Sequence, residues 1–198
     1  MPENPTGPWP RFELVTFPEP TGVPHELARM LVERGVPKRL FGLYRAAREL
    51  TLVADPGSGQ LVCFGTTALY GGVCLDPRTG QVVDLIYVPV ATANLPAGVL
   101  RPAWLVNSSL ERFIESVRVV LNRFPFDSGS TRGSRDLDGG EWGDLQHEWD
   151  HAADELEAAL RAIDPAAVAN ADSFWMTFLD DVRIGDYMTS EMLGSTDE

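Results

Sequence analysis

Residue types that could hold zinc stand together at His147-Glu148-Trp149-Asp150-His151. H-E-x-x-H on a helix sets two imidazoles one turn apart with a glutamate as general base, the arrangement of many metalloproteases. Which side of the helix carries them decides whether that chemistry is available. Hydropathy implies a helix over roughly 144–163, and each residue advances it by ~100°. With Leu145 at zero, Trp149 falls near ~40°, Leu156 near ~20°, Leu160 near ~60° and Ile163 near ~0°, which defines the buried face. His147 lands near ~200°, Asp154 near ~180° and His151 near ~240°, so these point to water. A catalytic zinc needs three protein ligands in a shaped cleft. The one other histidine is His25, and Asp154 and Glu157 stand where a metzincin has glycine and its third histidine. A carboxylate ligand from another helix stays open. The expectation is adventitious metal binding at most by His147, His151 and Asp154, with zinc hydrolysis as the alternative and no cofactor.

Other chemical signals are weaker. Gly57-Ser58-Gly59 begins like a phosphate loop but enters a strand, where no helix N-terminus can meet the anion. The chain has neither a G-x-S-x-G elbow nor the H-x-E and P-C-x-x-C of zinc deaminases. Asp180 and Asp181 read as solvated carboxylates on a short amphipathic helix. Arg29, Arg34, Lys38, Arg39, Arg45 and Arg48 form a basic cluster, for which a phosphate site stays open but pairing with the acidic C-terminal third, within or between chains, is the expected role. Cys63 and Cys74 could meet across neighbouring strands, but are expected to be reduced and buried as small apolar residues.

Charge is unevenly spread. The 198 residues carry 29 acidic and 16 basic side chains, a net charge of −13. Up to Phe126 the balance is +1, and beyond it −14, so the net acidity sits in the C-terminal third. Such a surface repels phosphate backbones, which argues against direct nucleic-acid binding. It would attract a basic partner and speed their encounter. No run near 18 apolar residues and no leader pattern is present, so the expectation is a cytoplasmic protein with no membrane partner.

The elements that must position these residues follow from pattern and punctuation. Residues 1–24 hold seven of the 15 prolines and should be irregular. "PHELARMLVERG" reads as a helix, with Pro24 in its first turn and Gly35 as its stop. "LTLVADPGSGQLVCFG" and "GGVCLDPRTGQVVDLIYV" read as two hairpins around Asp55-Pro56-Gly57-Ser58-Gly59 and Asp76-Pro77-Arg78-Thr79-Gly80, and short turns imply an antiparallel meander. "LVNSSLERFIESVRVVLNRF" is a helix with Ser108 and Glu111 as a capping box and an apolar face of Leu110, Phe113, Ile114, Val117 and Leu121. From 126 to 143, five glycines and three serines predict a flexible loop. A last helix over 173–184, capped by Asp172 and stopped by Gly185, has Phe174, Trp175, Phe178 and Val182 as its core stripe. Residues 188–198 read as a disordered tail.

"CLDPRTGQVVDL", "LVNSSLERFIESV" and "LRAIDPAAVANADSFWMTFLDDVRIGDY" resemble, in order and phrasing, the SUKH superfamily of immunity proteins, most closely its fourth subfamily. The resemblance covers residues 25–187 as a single domain. It implies an α+β fold, with a central, mostly antiparallel sheet flanked by helices. It also implies a cytoplasmic protein that binds and neutralises a cognate toxin, often a basic nuclease or deaminase, with no catalytic residues of its own. A regulatory protein-binding scaffold is the remaining alternative. Loops carry binding more often than cores, so the expected partner contacts are Asp136, Asp138, Glu141, Trp142 and Asp144 in the loop, plus Glu148 on the exposed helix face.

Overall fold

Alternating apolar residues from Tyr44 onward favour strands, and turn residues cut them to length. The computed structural model describes residues 11–18, 23–55, 59–67, 71–88, 98–99, 104–127 and 139–187. The expectations for the Pro-rich start, the 126–143 loop and the tail fall largely outside these.

A short pair, β1 (Leu14–Val15) and β2 (Val36–Pro37), flanks helix α1 (His25–Arg34). β3 (Arg39–Leu40), β4 (Tyr44–Asp55), β5 (Gly59–Thr67), β6 (Gly71–Leu75) and β7 (Val82–Val88) then pair in chain order, all antiparallel. Both β8 (Gly98–Val99) and β9 (Trp104–Asn107) pair with β7. This is the expected meander. The turn between β6 and β7 shows why it is tight: the nearly buried Asp76 carboxylate accepts the Arg78 N–H at 2.9 Å, and Gly80 adopts φ +77°. In β4, Ala46 faces Gly65 but Thr51 faces Cys63, so residues 47–50 bulge opposite Phe64 alone.

Helices α2 (Leu110–Arg123), α3 (Gly139–Ile163) and α4 (Phe174–Arg183), with a 3₁₀ turn at Pro165–Val168, complete the fold. Val62, Phe64, Val73, Leu75 and Val82 face the helices and share one core with Phe113, Trp149, Trp175 and Phe178. The alternate residues Val53, Leu61, Cys63, Cys74, Val83 and Leu85 form a second cluster on the other face of the sheet. The fold is α+β, with an antiparallel sheet and flanking helices.

Several local expectations are corrected. α2 is capped by Ser109, whose hydroxyl accepts the Arg112 N–H, because Ser108 is used elsewhere. α4 is capped by Ser173 and not Asp172. α3 starts at Gly139, ahead of the expected Asp144, so the last part of the presumed loop is helical. Trp142 reaches Trp149 edge-to-face at 5.9 Å, and this packing supports a turn that its glycines disfavour. Cys63 and Cys74, expected to be reduced, are joined in a disulfide: the register sets them directly opposite each other, Cα atoms 3.8 Å apart.

Candidate functional site

The exposed face of α3 was the chemical question posed by the sequence. Leu145, Trp149, Ala152, Ala153, Leu156 and Leu160 are buried, while His147 and His151 are exposed, as the wheel requires. His151 Nε2 lies 3.4 Å from Glu155 Oε1, one turn away, and Glu155 is also held by Arg123 Nε at 2.8 Å. That hydrogen bond and the guanidinium charge lower the Glu155 pKa. Glu148, expected on the open face, is half-buried. Its wheel position, ~300°, lies between the buried and open sides. Among the described residues, no group of three His, Cys, Asp or Glu side chains is placed to hold a metal.

Of the expected partner contacts, Trp142 is 37 % exposed and Asp144 is exposed. Asp136, Asp138 and the Glu141 side chain lie outside the described residues. Among the described residues Asp144 and Asp150 have no ion-pair partner, although Asp150 accepts a hydrogen bond from Gln146 at 3.1 Å. Further along, Arg183 gathers Asp154, Glu157 and Asp180 at 3.1–3.2 Å and fastens α3 to α4. Burial opposes the Arg183 charge, but these hydrogen bonds outweigh it and raise its pKa. Asp181, expected to be solvated, is partly buried; desolvation and the nearby Asp186 and Asp180 raise its pKa. Among the described residues, the N-terminal half of α3 therefore carries acid without an ion-pair partner and its C-terminal half a cross-braced network.

The motifs behind the family resemblance do something else. Asp164 is fully buried. Its carboxylate accepts the Ser108 N–H at 2.6 Å, the Ser108 hydroxyl at 3.1 Å, Asn107 Nδ2 at 3.1 Å and Arg112 at 3.3 Å. Asn107, also fully buried, takes the indole N–H of Trp175 at 2.9 Å on its carbonyl oxygen. One polar knot thus joins β9, α2, the end of α3 and α4. Sequence reasoning took Ser108 for a cap and passed over Asn107 and Asp164. The available signal was a polar Asn107 between the apolar Val106 and Leu110, together with Asp-Pro just after a helix.

The family described as SUKH-4 immunity protein matches residues 7–181, most of the chain. The chain belongs to the SUKH-4 immunity protein family. No curated protein and no solved structure matches it. An immunity protein has a toxin as its counterpart, so membership in the SUKH-4 family implies a toxin partner. Among the described residues of this SUKH-4 protein, no helix is long and apolar enough to cross a membrane.

Among the described residues of this SUKH-4 fold, the basic cluster makes no ion pair with the acidic third. Arg34 binds Glu111 at 2.8 Å and Lys38 binds Glu13 at 2.7 Å, both within the first two thirds of the chain. Arg29, Arg39, Arg45 and Arg48 are exposed and make no ion pair among the described residues. The acid of α3 finds its counter-charges in Arg123, Arg161 and Arg183 instead. Proximity along the fold decided the pairing, and among the described residues the two charge populations stay separate.

Proposed function

We propose that this protein neutralises its toxin by contact and performs no catalysis, acting in the cytoplasm as one domain over residues 25–187. The observation that carries the reading is the acid on the N-terminal half of α3, where exposed Asp144 and half-buried Asp150 have no ion-pair partner among the described residues and Trp142 is partly exposed. A partly exposed tryptophan is a typical anchor of binding energy, and acid around it steers a basic partner. A toxin that acts on nucleic acid needs a basic cleft for its polyanionic substrate, which makes a basic nuclease or deaminase the fitting counterpart. Asp136, Asp138 and Glu141, next to Trp142 in sequence, and Glu148 one turn beyond Asp144, extend the proposed contact. Neither nucleic acid nor membrane is a partner in this reading.

The test is co-expression with the product of the adjacent gene, scoring growth and complex formation. Trp142→Ala should weaken the complex about tenfold or more, beyond what the modest fall in melting temperature from its lost Trp149 contact accounts for. Asp144→Lys with Asp150→Lys should slow association and reduce its dependence on salt. Full protection and unaltered binding by all three substitutions together would remove this face from the mechanism.

A further inference from the structure

The bulge in β4 coincides with a feature that the acidic layer does not explain. A cavity of about 530 Å³ lies against the second face of the sheet, bordered by Arg45, Arg48, Thr51, Val53, Cys63 and Gly72. A neighbouring cavity of about 440 Å³ is bordered by Phe17, Lys38 and Arg39, and the two share Arg45, Ala46, Ala47 and Arg48. The open space therefore straddles the out-of-register part of β4 and is elongated. Beyond Ala46, whose N–H donates to the Lys38 carbonyl at 2.9 Å, the outer edge of β4 pairs with no further strand among the described residues.

Its rim is basic in a chain of net charge −13. Arg45 and Arg48 are exposed and without ion pairs among the described residues. Arg39 lies close enough to Glu13 to lower its pKa, after the larger effect of Lys38, and Glu49 is the acidic residue of the lining. The floor is small and apolar, with Val53 and the disulfide sulfur of Cys63. Gly72 gives the trough depth: a Cβ there would lie 3.6 Å from the sulfurs of both Cys63 and Cys74, an ordinary contact.

We propose that this trough docks an extended acidic peptide segment of another protein. A strand alternates its side chains, so carboxylates can meet Arg45 and Arg48 while the intervening apolar side chains enter the space above Cys63 and Gly72. Nucleic acid fits less well, because a long polyanion would also meet the field of the acidic third. The site is separate from the acidic face of α3 and does not depend on its role.

The test uses the full-length protein and a fluorescein-labelled peptide alternating glutamate with valine, read by anisotropy at physiological salt, where screening over about 8 Å confines the effect to local charge. Saturable binding is expected, reduced at least tenfold by Arg45→Glu with Arg48→Glu, and likewise by Gly72→Val, which fills the trough without changing its charge. Circular dichroism and melting curves check that each variant folds, and if the charge reversal does not, Gly72→Val carries the test. Toxin protection should persist in the folded variants. The proposal is overturned if the parent does not bind the peptide or if Gly72→Val binds it as the parent does. It is also overturned if a single-stranded oligonucleotide of equal charge competes as well as the unlabelled peptide, which would make the trough a nucleic-acid site.

Discussion

Two polar regions of this molecule carry motif-like residues, and they behave in opposite ways. Around His147 and His151 the side chains stand in water, with one long imidazole contact to Glu155 at 3.4 Å. Around Asp164 a carboxylate with no exposure takes donors from β9 and α2, and Trp175 of α4 joins through Asn107. The pentapeptide resembles an enzyme signature but is a solvated surface; the knot looks like ordinary loop residues but ties four elements. A buried polar group must be matched donor for acceptor, since an unmet one costs the full desolvation penalty. An exposed group exchanges its partner for water at little cost. The same residue type is therefore interchangeable in one place and structurally decisive in the other.

That contrast can be broken at either end. The largest effect is expected from Asp164→Ala, which strands the Ser108 N–H, leaves the Asn107 amide with Ser116 Oγ alone and unpairs Arg112; urea denaturation should show a loss of about 3 kcal/mol or more. A loss under about 1 kcal/mol, comparable to a typical surface change, would erase the distinction. Trp175→Phe keeps the packing ring but removes its N–H from buried Asn107, and should cost about 1–2 kcal/mol by the same measurement.

Arg183→Ala probes intermediate ground, a half-buried brace between α3 and α4. It should cost about 1 kcal/mol at neutral pH. The Glu157 pKa is lowered by hydrogen bonds, first from Arg161 and also from Arg183. Its contribution is present above the ordinary glutamate range and lost as pH falls through the lowered value, so parent and variant should converge only once the pH is below that lowered value. Persistence of the full difference in acid would mean that Arg183 acts through packing and not charge. Smallest of all, His147→Ala with His151→Ala should shift stability by less than about 0.5 kcal/mol. Thermal melts with zinc and with a chelator should coincide for parent and variant. A zinc-dependent rise confined to the parent would restore a metal role to this face.

Periodicity exposed much of the architecture. The outward turn of His147 and His151, the two hairpins and the core stripes of α2 and α4 all follow from spacing and turn residues, because those signals are local. What escaped was set by tertiary partners. The cap of α2 moved to Ser109 because Asp164, 56 residues away in sequence, claims Ser108. The start of α3 moved to Gly139 because Trp142 packs on Trp149, overriding glycine propensity. The disulfide depended on strand register, which two cysteines eleven residues apart do not specify. Of the candidate contacts, Trp142 and Asp144 are exposed but stand on α3 and not in the expected loop, whereas Glu148 turned partly inward.

The turn after α4 has a consequence for how this pentapeptide can vary. Gly185 adopts φ +80°, and a Cβ added there would come within 2.7 Å of the Trp149 ring, whose N–H reaches Asp127 at 3.4 Å. Two independent restrictions, one steric and one conformational, thus act on a single position. A descendant that trims the tryptophan relieves the crowding but still faces a backbone that L-residues seldom adopt. Drift at 185 should therefore be narrow even where 149 changes, while the histidines beside that tryptophan are free to wander.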